Sequence, residues 1–182
     1  MKRIRVSLMS GIFGIVMLTA GAGLLSAEEK YDIKAPNGLS FNDIRGYETW
    51  QVVAPSYRLD KKEVRYILGN SVIVDAYKKG VPKNSTTFPD GAILVKIAYS
   101  EVKNPAFPAA LEPDLLQRVE FIVKDSKRFG NTGGWGFARF IYEPAADKFK
   151  PYGNDPSFAN ECYQCHTLVK DRDFVFTKYP VR

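Results

Sequence analysis

At 182 residues, 45% hydrophobic and 25% charged, the chain is long enough to enclose a core and shows no repeat or low-complexity tract. Its formal net charge is +6. No dense Lys/Arg run marks a nucleic-acid surface, so the charge excludes nothing more than that class of partner.

Three of the 26 basic residues, Lys2, Arg3 and Arg5, stand at the very start, and the run Val6 to Leu25 behind them carries no charge. "LLSA" then leads into the acidic, polar "EEKYD". This is the layout of a secretory signal over residues 1–27, cleaved after Ala27. A retained membrane anchor is the alternative, since the run is at the short edge of a span. Either way the rest of the chain is expected outside the cytoplasm. Residues 28–182 then form one domain of 155 residues, with 23 basic against 20 acidic side chains.

Residues 28–45 read as an irregular arm. "TWQVVAPSYR" and "EVRYILGN" are rich in β-branched and aromatic residues and predict a strand pair turned by the charged "LDKKE". "NSVIVDAYKKG" predicts a helix, with Asn70 as N-cap, Lys78 and Lys79 in the last turn and Gly80 closing it. "VPKNSTTFPDG" reads as loop and "AILVKIAYS" as a strand. Residues 102–115 contain three prolines and read as a connector. "LQRVEFIVKDS" and "GWGFARFIYE" are two more strands, joined by the Gly-rich "KRFGNTGG". After Ala145 come a loop, a short helix around the cysteines and a helical or irregular tail. The expected class is mainly β (α+β), an antiparallel sheet with a few short helices.

Cys162-Tyr163-Gln164-Cys165-His166 contains both cysteines and the single histidine of the chain. Cys-x-x-Cys-His is the attachment pattern of a c-type haem: two thioethers fix the porphyrin, and the adjacent histidine reaches the iron. A redox dithiol has no need of His166. A structural zinc site needs four ligands and finds only three here. A disulfide across three residues makes a strained small loop. The expected cofactor is one covalent haem c, with His166 on the iron, and the 11 Phe, 10 Tyr and 2 Trp of residues 28–182 are available to wall it. Its propionates bring the charge of residues 28–182 near neutral.

The other face of the iron follows by subtraction. All three methionines, Met1, Met9 and Met17, lie in the signal. Residues 28–182 therefore offer neither Met nor a second His, the usual sixth ligands of electron-transfer haems. The iron is expected to be five-coordinate or water-bound and to bind or transform small molecules. A plain electron carrier would need Lys or Tyr as its sixth ligand.

Three polar residues stand on apolar strands. Alternation puts Lys96 on one face with Ala92, Leu94 and Ala98, and sets Arg65 against Val64, Tyr66 and Leu68. Glu120 shares a face with Ile122, while Val119, Phe121 and Val123 point away. Patterning alone leaves two readings open for each: a solvated sheet face or a haem pocket.

"FPDGAILVK", "VKDSKRF" with "GGWGFARF", and "CYQCH…DFVF" together resemble the cytochrome P-460 family, in the family's order over residues 47–179. The resemblance implies a mainly antiparallel β mono-haem fold, a homodimer, and hydroxylamine oxidation in the periplasm. Lys96 matches the lysine whose nitrogen is bonded to a porphyrin meso carbon, and Arg65 and Glu120 match distal-pocket residues. Glu120 then serves as general base, and Arg65 holds that carboxylate or orients a bound nitrogen oxide. The resemblance further implies attack of a second hydroxylamine on a haem-bound nitrosyl to give nitrous oxide. Electrons leave to an external acceptor such as a small cytochrome c. The β-type cytochromes c′ share the fold without the lysine bond and bind nitric oxide without turnover in an apolar pocket. For that reading, Phe88, Phe107 and Phe121 are candidates for an apolar ceiling.

Overall fold

The computed structural model describes residues 30–83 and 86–182. The expected signal over 1–27 lies outside the described residues. Six strands form one antiparallel meander in the order β1-β2-β3-β4-β5-β6. These are β1 (Gln51–Arg58), β2 (Glu63–Gly69), β3 (Ile93–Lys103), β4 (Leu111–Lys124), β5 (Trp135–Glu143) and β6 (Lys148–Pro151). Among the described residues, two α-helices, α1 (Ser71–Lys78) and α2 (Phe158–His166), and several 3₁₀ turns complete the fold. The class is mainly β with some α.

Period-two alternation gives the sheet two apolar faces. On one, Val53, Ile67, Leu94 and Phe137 pack with α1 and with Phe174 and Val175 of the C-terminal segment. On the other, Leu68, Val95, Phe121 and Phe140 pack under the arm, against Leu39, Phe41 and Ile44. The arm is ordered by a capping box in which Ser40 and Asp43 exchange bonds across a 3₁₀ turn. Helix α1 starts at Asn70, whose side chain accepts the Ile73 N–H at 3.1 Å and whose Oδ1 also takes the Ile93 N–H.

The connector expected over 102–115 is mostly strand. Val102 pairs with Glu112 and Lys103 with Leu111, leaving only 104–110 as the loop of a long hairpin. Pro113 is tolerated because β4 meets β5 only from Arg118 onward, so at Pro113 one side of the strand has no sheet partner. Pro55 is accommodated in β1 for the same reason, at the sheet edge. Strand β6 escapes a sequence reading because it is four residues long and lysine-rich. Its one apolar anchor, Phe149, packs on Phe41 and Tyr142.

Candidate functional site

Antiparallel register assembles a charged row in the middle of the sheet. Ile67 lies opposite Lys96, Lys96 opposite Glu120, and Glu120 opposite Arg139. One step along, Arg65 faces Ala98, which faces Arg118. Of these, Arg65, Ile67, Lys96, Glu120 and Arg139 line a cavity of about 430 Å³ on the face covered by α2 and the C-terminal segment. That size suits a ligand rather than stray water.

Helix α2 brings the other half. Cys162, Cys165 and His166 stand at i, i+3 and i+4, hence on one side of a short helix. All three line the same cavity as Arg65, Lys96 and Glu120. Six residues from four elements, β2, β3, β4 and α2, thus meet around one space. The two cysteines do not pair in a disulfide, and burial pushes the Cys162 thiol up.

His166 Nδ1 lies 2.6 Å from the Phe174 carbonyl oxygen. A carbonyl only accepts, so Nδ1 carries the proton and Nε2 keeps its lone pair. Burial holds the imidazole below its usual range, more than offsetting the hydrogen bond that favours the charged form. A neutral ring with Nε2 available and Nδ1 tied to a carbonyl is the state in which histidine ligates a metal.

Glu120 is 9% exposed and surrounded by cations. Arg139 Nε donates to Oε1 at 2.6 Å, Lys96 Nζ lies against Oε2, and Arg118 Nε is 3.4 Å from Oε2. Burial acts to raise this carboxyl, but the charges of Lys96, Arg139 and Arg118 outweigh it and hold the group at about 2. Oε2 is held in ion pairs with Lys96 and Arg118 beside the cavity. Burial also lowers Lys96, against the pull of Glu120.

Arg65 lines the cavity but does not hold Glu120. Its Nε and Nη2 donate to Glu63 Oε2 at 3.0 and 2.7 Å. Arg118 adds a bidentate pair to the same carboxylate at 2.7 and 2.8 Å. Glu63 is thereby held at about 2, burial opposing and the two guanidiniums prevailing. Glu63 is nearer in the strand pleat and takes the donors that Glu120 would need. The charge cluster therefore has three members not singled out from sequence: Glu63, Arg118 and Arg139. Alternation was the available signal, since Glu63 and Arg118 lie two positions before Arg65 and Glu120.

Of the three phenylalanines proposed for a ceiling, only Phe121 is among the residues around the cavity. Phe88 is buried against Tyr77 and Trp135, Phe121 stacks on Phe140 across the sheet, and Phe107 stands 64% exposed in the β3–β4 loop. The apolar wall comes instead from residues such as Ile67, Leu94, Ile122, Phe137, Val175 and Phe176.

A large planar group with iron fits this set of residues: paired cysteines on one helix face, a neutral histidine with Nε2 free, an apolar wall and a buried carboxylate. No curated protein matches the chain. The family model described as Cytochrome P460 matches residues 44–177, a span that contains all six residues around the cavity. The chain therefore belongs to the cytochrome P460 family of haem proteins, whose chemistry is of the oxidoreductase type.

Proposed function

We propose that the protein is a periplasmic mono-haem c enzyme that oxidises hydroxylamine and passes the electrons to an external acceptor such as a small cytochrome c. Cys162 and Cys165 would hold the haem through thioethers, with His166 Nε2 on the iron. A haem held there supplies a redox-active iron whose second face takes a nitrogen ligand. The observation that carries the reading is the Glu120 carboxylate, buried and lining the cavity shared with His166. Oxidising hydroxylamine removes protons together with electrons, and a carboxylate beside the iron would accept them.

The remaining residues have distinct tasks. Lys96, with an amine shifted toward its neutral form, is the residue that would bond to the macrocycle. That bond would remove the nearest ammonium from Glu120 and so raise the basicity of a carboxylate otherwise held at about 2. Arg139 keeps the Glu120 carboxylate oriented through Oε1. Arg65 keeps donors beyond those engaged by Glu63 and would orient a nitrogen oxide by charge-assisted hydrogen bonds. Export by residues 1–27 and a homodimeric assembly belong to the same reading.

The test is the ferrous absorption spectrum of the purified holoprotein together with the mass of its haem peptides. The reading expects a strongly red-shifted Soret band and a haem linked to peptides containing Cys162, Cys165 and Lys96. Lys96→Leu is expected to restore an ordinary c-type spectrum. A normal c-type spectrum in the unmodified protein would overturn the Lys96 bond. It would favour nitric oxide binding without turnover, the reading to which the apolar wall of Ile67, Leu94, Ile122 and Phe137 lends support.

A further inference from the structure

The strand end "VKDSKRF", the glycines of "GGWGFARF" and the terminal "DFVF" lie far apart in sequence, and none supplies a ligand in the account above. They meet at a buried ion pair beneath the haem-side helix. Lys124 Nζ donates to Asp173 Oδ1 at 2.7 Å and Oδ2 at 3.0 Å, and to the Gly133 carbonyl at 3.0 Å. All three ammonium donors are engaged. Asp173 Oδ2 also accepts the Phe88 N–H at 2.8 Å. The two side chains are 5% and 2% exposed, and neither lines the cavity.

What this pair anchors is unusual backbone. Asp173 (φ 49°) and Phe174 (φ 62°) are consecutive non-glycine residues in the left-handed region. Aspartate visits it with some ease, whereas a bulky phenylalanine does so only when the surroundings compel it. Two contacts compel it here. The Asp173 carboxylate is fixed by Lys124 and Phe88, and the Phe174 ring lies so close over Gly133 that a Cβ there would approach Phe174 Cε2 to 2.3 Å. With ring and preceding side chain both held, the Phe174 carbonyl is aimed the other way, onto His166 Nδ1 at 2.6 Å.

We propose that Lys124 and Asp173 are positioning residues for the haem iron. Their ion pair holds the left-handed Asp173–Phe174 turn, and that turn fixes the Phe174 carbonyl as acceptor for His166 Nδ1–H. The strength of this bond governs how much electron density the imidazole gives the iron. The inference rests on the reading of His166 as the proximal ligand. It assigns Lys124 and Asp173 to the chemistry of the iron, beyond holding the C-terminal segment on the sheet.

Asp173→Asn keeps the size and an oxygen acceptor for the Phe88 amide, but loses the charge that holds Lys124. In the ferrous holoprotein the iron–histidine stretching band is expected to move to lower frequency, and the midpoint potential to rise. The double variant Lys124→Met/Asp173→Leu removes both charges without leaving either one buried alone. It is expected to give the same two shifts, and it decides the matter should Asp173→Asn not take up haem. A band and potential unmoved in the folded variants, or moved the opposite way, overturn the proposal while leaving His166 as ligand. A different result marks failure of the underlying reading: the wild-type protein would show no iron–histidine band, and His166→Gly would leave its absorption unchanged.

Discussion

Replacing Glu120 by glutamine leaves Lys96, Arg118 and Arg139 gathered around a neutral amide. If Glu120 is the base, Glu120→Gln slows hydroxylamine oxidation by a factor on the order of 10² to 10⁴, with the thioether-linked haem retained on a denaturing gel. The same carboxylate gives the fold a pH dependence. Folding lowers it from its ordinary 4.5 to about 2, so its contribution is complete above about 4.5 and drains away as pH falls toward 2. For protein whose Lys96 amine is free, that contribution is on the order of 3 kcal/mol. Urea unfolding followed by circular dichroism between these pH values should show the loss, and Glu120→Gln should reduce it, leaving the part carried by Glu63. The sequence made Lys96, Arg65 and Glu120 visible as polar residues on apolar strands. It did not reveal who pairs with whom, because pairing depends on strand register. Arg65 went to Glu63, its neighbour along the same face, and Glu120 was supplied by Arg118 and Arg139 instead.

At the scale of elements, helix α1 depends on one side chain that does two jobs. Asn70 caps the helix and, through Oδ1 and Nδ2, ties it to Ile93 N and Gly91 O at the start of β3. Asn70→Ala is expected to cost about 1–2 kcal/mol, read as a lower urea midpoint with an unchanged slope. No residue of α1 lines the haem-side cavity, so its lining is expected to persist. The cap and the closing Gly80 were readable from residue type alone, as were the five longer strands β1 to β5. The β3–β4 hairpin was not, because proline counts as a breaker only where both edges of a strand are paired, and that is a property of the sheet. Four-residue β6, with lysines at 148 and 150, carries too little pattern to register.

Across the whole molecule, the meander lays four central strands side by side so that one row of side chains runs beneath one short helix. The motif at 162–166 and the lysine seventy positions earlier become neighbours only through that closure. Thioether attachment should depend on export: a protein of residues 28–182 made in the bacterial cytoplasm is expected to fold without covalent haem, and haem staining of a denaturing gel reads the difference. The central claim is that one cavity combines a haem on His166 with a working base at Glu120. Steady-state hydroxylamine oxidation by the holoprotein with a dye acceptor tests it most directly. The account predicts sustained turnover that collapses at least about 100-fold in Glu120→Gln with the haem still attached. Turnover unchanged by that substitution, or tight nitric oxide binding with no hydroxylamine turnover in the unmodified protein, would contradict it.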